Sequence, residues 1–404
     1  MKKSSEVVVV GGGPCGSFAA LNLAKLGVKV AVLEEHGEIG VPSHCPGHLS
    51  INGLKNLGIY PLPPKIVENI FYGVIFHSPS GKIFSIRLSL PVTCTVNRVL
   101  FDKYVARKAE SVGTHYFLNS RVDSLIVENG YVKGVTLDNG EKASAEIVID
   151  AEGISSRLLK QAGLSSLNPQ MLVKAVHAEV ENVKNLEEGM VEVFLGRNYA
   201  PGFYAWLIPT RGGRAKVGLA TKIGNPKDYL QRFMRKHPEA TKKLCEAKIL
   251  RESFHSITLG EMIPKAYSNG FLAVGDAASQ VKPTTGGGVI LGMNCARIAA
   301  EVVHEALLKN DCSSRFLSKY QKRCRKIMGF DLKVMLKMRK MLDALSDKKI
   351  DSIIQFCKKT GLDKALQNFK DIDFQGHSLL NALRNPRVSL AIFYFLISYA
   401  LDNP

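Results

Sequence analysis

The chain has 404 residues, of which 46% are hydrophobic, 22% charged and 8% aromatic. So much apolar residue without a repeat excludes a disordered chain, a collagen-like one and a coiled coil, and the length suits a large two-domain enzyme. Lys and Arg number 54 against 36 Asp and Glu, and the resulting +18 points to an anionic partner, either an acidic membrane face or a phosphorylated substrate. No nucleic-acid partner is expected, because no basic run interleaves with aromatics able to stack on bases.

In chain order, Val7–Val10 reads as a buried parallel strand, residues 14–26 as a helix rich in small residues, and Val28–Leu33 as the next buried strand. Together they make a βαβ unit. Residues 70–90 alternate apolar and polar around Pro79-Ser80-Gly81, the pattern of an antiparallel hairpin. A helix follows over 97–112, then a second hairpin over 121–137 turning at Asn129-Gly130, and a buried strand over 145–150. From 170 to 265 the pattern is mostly strands, with one helical interruption over 227–246. A further buried strand spans 271–274, a helix spans 287–308, and the chain from 314 onward is helical by periodicity.

This C-terminal stretch is also the most basic. From Asp311 to the end, 18 Lys and Arg stand against 9 Asp and no Glu. Its helix at 315–345 is basic and amphipathic, which suits peripheral contact with an anionic membrane surface. The longest apolar run, Val388–Leu401, is shorter than the ~18 to 20 residues that cross a bilayer and suits a buried helix or one lying in an interface. Eight cysteines without a CxxC pair read as reduced thiols. Met1-Lys2-Lys3 before a four-residue apolar run only imitates an export signal, so the expected location is cytoplasmic, at the inner face of the cell membrane.

The strongest motif is Gly11-x-Gly13-x-x-Gly16, which directly follows a strand and opens a helix. Glycines there permit a tight turn and let the backbone approach a pyrophosphate at the positive helix end. Glu34, ending the second strand, can bind the ribose hydroxyls of an adenosine and would repel a 2′-phosphate. A dinucleotide other than NADP is expected.

Gly275-Asp276-Ala277-Ala278, then Pro283 and Gly286-Gly287-Gly288, resembles the glutathione-reductase-type flavoproteins, in their aromatic-hydroxylase-like branch. The resemblance implies FAD as cofactor. It implies that Asp276 binds a hydroxyl of the flavin-side ribose, that the glycine turn with Val289 lies against the pyrophosphate and the flavin edge, and that Cys15 belongs to the first turn's contacts. Arg98, in Asn97-Arg98-x-x-Phe101-Asp102, matches an FAD-contacting arginine, and Val122 would meet the adenine through its backbone. Ala151-Glu152-Gly153-x-Ser155-Ser156-Arg157 matches a further motif of the branch, with Glu152 where Asp is usual.

Pro201-x-x-Tyr204-x-Trp206-x-x-Pro209, Val217-Gly218-Leu219 and His44-Cys45-Pro46-Gly47-x-Leu49-Ser50 narrow this to a resemblance to the geranylgeranyl reductase family, nearest its archaeal branch acting on digeranylgeranylglycerol phospholipids. That implies saturation of geranylgeranyl chains by hydride from reduced flavin. Cys45, Pro46 and Gly47 would lie by the flavin, with Cys45 a proton donor or a closure of the channel. Tyr204 and Trp206, facing one side of a strand, would wall the substrate channel, although Trp206 reads equally well as core. His44, Cys45 and His48 do not amount to a metal site, since no second Cys/His cluster accompanies them. Two other functions stay open. Tyr204-x-Trp206-x-Ile208-Pro209 comes near the halogenase WxWxIP pattern, which keeps a flavin monooxygenase or halogenase in view, and an electron-transfer flavoprotein is the other. Without a second glycine fingerprint, the electron donor is expected to be a transiently docking nicotinamide or a ferredoxin-like protein.

The expected fold is α/β. A doubly wound FAD-binding domain is built from 1–68, 91–165 and 266–310. It carries an inserted antiparallel β-sheet substrate domain from 69–90 and 166–265, and a basic helical C-terminal region follows over 311–404.

Overall fold

The computed structural model describes residues 5–367 and 372–402. Met1–Lys3, considered above as an export signal, lie outside the described residues. By their contacts the residues divide into two units: 1–43, 98–171 and 258–332 in the first, and 44–97, 172–257 and 333–404 in the second.

The first unit is a six-stranded sheet in the order Tyr267–Ser268, Phe271–Ala273, Ile147–Asp150, Val7–Val10, Val30–Leu33, His115–Phe117. All neighbours are parallel except the first pair. Val7 stands level with Ile147 on one side and Val30 on the other. These strands are buried along their length, which is why they read as unbroken apolar runs. Helix Pro14–Lys25 packs on the sheet and on helices Arg98–Glu110 and Val289–Leu308. The hairpin Val122–Glu128 with Tyr131–Leu137, extended by Lys142–Ser144, forms a separate three-stranded sheet.

The second unit holds a seven-stranded sheet in the order Lys248–Thr258, Leu172–Glu181, Ala215–Thr221, Ala205–Pro209, Met190–Phe194, Gly73–His77, Ile83–Arg87. It departs from the expected antiparallel sheet where Met190–Phe194 runs parallel to Gly73–His77. One face carries a core of Val176, Phe194, Leu207, Leu219 and Phe233. The helix expected over 227–246 is two helices, Pro226–Lys236 and Pro238–Leu244. Pro238 cannot donate to the preceding turn, and the His237 ring caps the second helix by accepting from the Glu239 and Ala240 N–H groups.

The contact division differs from the expected limits in three ways. Residues 166–171 and 258–265 go with the first unit. Residues 44–68 and 91–97 go with the second unit, because strands His48–Ser50 and Val67–Phe71 both pair with Thr93–Val96. The basic region does not stand apart either. Its helix Ser314–Ala344 joins the first unit through the buried Tyr320, whose hydroxyl donates to the Ala273 carbonyl at 2.9 Å. From 333 onward the chain belongs with the second unit. The apolar stripe of that helix, including Leu317, Tyr320, Met328, Leu332 and Met335, is buried, so its amphipathicity serves packing.

Candidate cofactor cradle and substrate face

In the first unit the Gly11–Gly16 turn is built from close approaches. Gly11 has φ +99°, in the left-handed region, and a Cβ there would lie 2.5 Å from the Ala151 carbonyl oxygen. A Cβ on Gly16 would stand 2.0 Å from the Gly11 oxygen. Gly13 differs: a Cβ there would meet nothing within 4 Å. The helix begins at Gly13 with no side-chain cap and no acidic residue in its first turn, so its leading N–H groups and positive dipole end suit an anion.

Glu34 is buried beside this turn. Its Oε2 accepts from the Gly12 N–H at 2.7 Å, while Oε1 accepts from the His36 N–H at 3.0 Å and faces His36 Nδ1 at 2.6 Å. A carboxylate offers about four acceptor positions. Oε2 therefore keeps one for a ribose hydroxyl, while Oε1 is shared with an exposed histidine ring.

A second glycine turn lies at Gly286, Gly287 and Gly288, and helix Val289–Leu308 also starts without a side-chain cap or an acid. A Cβ on Gly288 would fall 2.6 Å from Asp276 Oδ1, so this glycine makes room for that carboxylate. Asp276 sits on the short turn Gly275–Ala278, which is fixed from beneath: the Gly275 N–H donates to Gln280 Oε1 at 2.8 Å, and Gln280 Nε2 to the Tyr320 hydroxyl at 2.6 Å. Burial pushes the Asp276 carboxyl above the ordinary carboxylate range, and the Arg98 guanidinium opposes it. Arg98 is locked on Asp102 by two contacts, Nε–Oδ1 at 3.1 Å and Nη2–Oδ2 at 3.0 Å. Burial also raises the Cys15 thiol, with Asp276 adding to it. Cys15 packs between Gly275 and Gly292. Pro283 is buried next to the second turn. Val122 is buried, and its carbonyl accepts from Arg157 Nη2 at 3.0 Å.

Two glycine turns opening uncapped helices, a carboxylate with a spare acceptor position and an arginine-backed aspartate fit the diphosphate and sugar hydroxyls of FAD. Asp102 and Asp150 extend the set given by motif alone. Asp150 ends the Ile147–Asp150 strand just before Ala151, and burial with the neighbouring Glu152 charge raises its carboxyl to about 8. An acid closing an otherwise apolar strand was the available signal.

In the second unit, Gly47 takes φ +76° and its N–H points to Cys45 Sγ at 3.4 Å. Lys216, 5% exposed, holds this loop: its ammonium donates to the Pro46 carbonyl at 2.9 Å and the Val96 carbonyl at 3.4 Å, and pairs with Glu68. A lysine inside an apolar strand was the signal for it. His44 stacks on His255 with centroids 6.2 Å apart, and His48 Nε2 meets Thr93 Oγ1 at 2.8 Å, so His44, Cys45 and His48 each have a different neighbour. Among the described residues no group of three or more His, Cys, Asp or Glu is placed to hold a metal ion.

Tyr204 and Trp206 meet edge to face at 6.0 Å, and Phe203 stacks on Tyr204 at 4.3 Å. Arg339 lies over Phe203 at 5.4 Å and pairs with Asp343 at 2.7 Å. Burial pushes the Tyr204 hydroxyl above the ordinary phenol range, and Arg339 pulls it back. Trp206 and His177 flank Gly218 in one cross-strand row. A Cβ on Gly218 would be 2.5 Å from Trp206 Cζ2, so the indole lies across the glycine. Among the described residues, Trp206 Nε1 and His177 Nδ1 are buried without a hydrogen-bond partner. Burial holds His177 down to about 3, with Lys216, His255 and Arg251 acting the same way, so the ring is neutral at pH 7.

Residues 4–329 match the family model of an FAD binding domain. The chain is 34% identical to digeranylgeranylglycerophospholipid reductase 2 of Methanothermobacter thermautotrophicus, across 87% of this chain and 91% of the relative. It is 34% identical to the digeranylgeranylglycerophospholipid reductase of Methanocaldococcus jannaschii, across 87% and 90%. Among solved structures, a geranylgeranyl bacteriochlorophyll reductase-like protein from Thermoplasma acidophilum superposes with a TM-score of 0.86 at 27% identity, covering 97% of this chain and 99% of that one. A flavin-dependent brominase, at 18% identity and a TM-score of 0.67, shares the fold alone.

Proposed function

The chain belongs to the digeranylgeranylglycerophospholipid reductase family of FAD-binding proteins, and from that membership we propose that it saturates the C=C bonds of geranylgeranyl chains on archaeal-type glycerophospholipids. The observation that supports this most is the presence, in one chain, of a dinucleotide cradle and of an aromatic sheet face built around Trp206 and Gly218. Bound FAD in its reduced form supplies the hydride.

The chain's own residues do the rest. Gly11, Gly13, Cys15 and Gly16 hold the diphosphate at the helix start, Glu34 takes an adenosine hydroxyl, and Val122 meets the adenine. Asp276, backed by Arg98, would take the flavin-side sugar, with Pro283, Gly286, Gly287, Gly288 and Val289 as its neighbours, and Cys45, Pro46 and Gly47 would be further flavin contacts. Tyr204 and Trp206 give the polyprenyl chain an apolar wall that excludes water. Cys45 delivers the proton that, with the hydride, completes the saturation. The enzyme works peripherally on the anionic inner face of the cell membrane.

Chemically reduced protein mixed anaerobically with an unsaturated geranylgeranyl phospholipid should reoxidise, and mass spectrometry should find two hydrogens added per double bond. Reoxidation only with oxygen, and a product that gains an oxygen atom, would replace this reading with a monooxygenase. Failure to bind any polyprenyl lipid would leave an electron-transfer flavoprotein. Trp206→Ala should lose ~1 to 3 kcal/mol of transition-state stabilisation with FAD still bound. Cys45→Ala should slow turnover without loss of FAD, and unchanged turnover would make Cys45 structural. The donor, nicotinamide or ferredoxin-like protein, is whichever bleaches the bound flavin anaerobically.

A further inference from the structure

Helix Pro386–Asp402 is apolar on both of its faces, yet among the described residues only one of them is covered. Val388, Ala391, Ile392, Phe395 and Tyr399 pack on Phe84, Ile350, Ile354 and Leu362. Tyr394 stacks on Phe356 with centroids 4.0 Å apart, which seats the helix on Asp347–Lys359. The opposite face repeats at helical spacing through Leu390, Phe393, Ile397 and Leu401, and here Leu390 is 50%, Phe393 60% and Leu401 69% exposed. Leu380 and Leu383, just before this helix, are exposed as well. A helix that is apolar all round is ordinarily covered all round. Contiguous exposed apolar surface of this kind marks an interaction site.

Charge identifies what covers it. Lys358, Lys359, Lys364, Arg384 and Arg387 are exposed. Arg387 lies by the turn at Gly361, within the Lys358–Lys364 stretch. Most acids described in the C-terminal stretch are turned to internal work. Asp402 accepts from the Ser346 N–H and hydroxyl, Asp351 from the Ser80 N–H and hydroxyl, and Asp347 from the Arg197 N–H. Asp343 pairs with Lys222 and Arg339, and Asp331 and Asp373 are buried. The positive charges therefore face outward while most of the negative ones are spent inside. An apolar stripe bordered by cations fits an anionic lipid leaflet, whose headgroups meet the lysines and arginines while the stripe enters the acyl boundary. No helix among the described residues is long and apolar enough to cross a membrane, so this one lies in the surface.

We infer that the outer face of residues 380–401, and not the basic face of helix Ser314–Ala344, is the surface by which the protein enters an anionic membrane. This rests on the membrane-lipid reading above and names the docking surface within it. On the longer helix the apolar stripe is buried, and part of its charge is already used: Arg323 pairs with Glu305 at 2.7 Å, and Arg325 donates to the Pro264 carbonyl at 2.8 Å.

The test uses the full-length FAD-loaded protein and co-sedimentation with vesicles of equal phosphatidylglycerol and phosphatidylcholine, at 0.1 and 1 M NaCl. Wild type should bind, and a fraction should survive high salt, because apolar insertion is not screened. Phe393→Ser, Leu396→Ser and Leu401→Ser combined should lose that salt-resistant fraction by roughly tenfold or more, with the flavin spectrum and thermal midpoint unchanged. Reversing Lys322 and Lys326 to Glu should leave it intact. Wild-type binding by the triple variant would overturn the inference. So would a wild-type dimer in analytical ultracentrifugation that the triple variant converts to monomer, since a second copy would then cover the face. Turnover of detergent-dispersed phospholipid should be equal in wild type and triple variant. If wild type itself turns over no lipid, the substrate reading fails and the vesicle result still decides the docking surface.

Discussion

The two candidate sites are built by different physical means. In the cradle of the first unit, what matters is where side chains are missing: Gly11 and Gly16 stand where backbone passes through the place of a Cβ, whereas a Cβ on Gly13 would meet nothing within 4 Å. On the sheet of the second unit, the proposed wall is made by what side chains fill, with Trp206 laid across Gly218 next to His177 and Lys216 tying down the Cys45–Gly47 loop. Geometry of the first kind tolerates almost no substitution. A filled face can be repainted residue by residue, which is how a brominase at 18% identity can share the fold.

Glycine replacements should break this contrast most visibly. Gly16→Ala should destabilise the protein by about 3 kcal/mol, because its Cβ meets rigid backbone at 2.0 Å. Gly13→Ala should leave the thermal midpoint in place and weaken FAD binding roughly a hundredfold, about 2.8 kcal/mol. Equal loss of stability in both variants would mean that Gly13 is needed by the fold and not by the ligand. Next in size is Glu34→Gln, expected to cost ~1.5 to 3 kcal/mol of FAD affinity by flavin-release titration. His36→Ala should not weaken binding, since the ring only shares Oε1.

Gly218→Ala carries the contrast to the other unit. Its Cβ would lie 2.5 Å from both the indole and the Val176 carbonyl oxygen. A cost of ~1 to 3 kcal/mol in urea unfolding and slower lipid turnover should follow, with FAD fully retained. Loss of FAD would show that the two regions are not separable.

A pH dependence, spread over several units and so small at any one pH step, sharpens the cradle itself. Folding raises the Asp150 carboxyl to about 8 from its ordinary 3.8, so between those values the folded state holds a proton that the unfolded state releases. Stability from this group is therefore present at low pH and lost as pH rises through that window, at no more than ~1.4 kcal/mol per pH unit. Urea midpoints at pH 5, 7 and 9 should fall less steeply in Asp150→Asn. An unchanged slope would assign the pH dependence to another group.

Sequence reveals these regions unequally, for a physical reason. Gly11 to Glu34 is one βαβ unit whose function is local, so spacing alone places its parts, and Asp276 follows another short turn. The row of Trp206, Gly218 and His177 depends on strand register, and His177 reaches it from a strand about 40 residues before Gly218, which no local pattern encodes. Periodicity also locates apolar stripes without saying which are covered. It offered both the basic helix at 315–345 and the apolar run Val388–Leu401 as membrane faces; the stripe of the first is core, and the uncovered stripe lies on the second. The single helix expected over 227–246 failed because a proline can start a second helix as readily as end the first.

Trp206 is the sole tryptophan in the chain, so the protein's indole emission comes from one place on the proposed substrate wall. A polyprenyl lipid carrying bromine would quench that light on contact. Arrival of the chain at Gly218 can thus be timed by stopped flow in the unmodified protein, and the order of lipid entry, flavin reduction and product departure becomes an optical measurement.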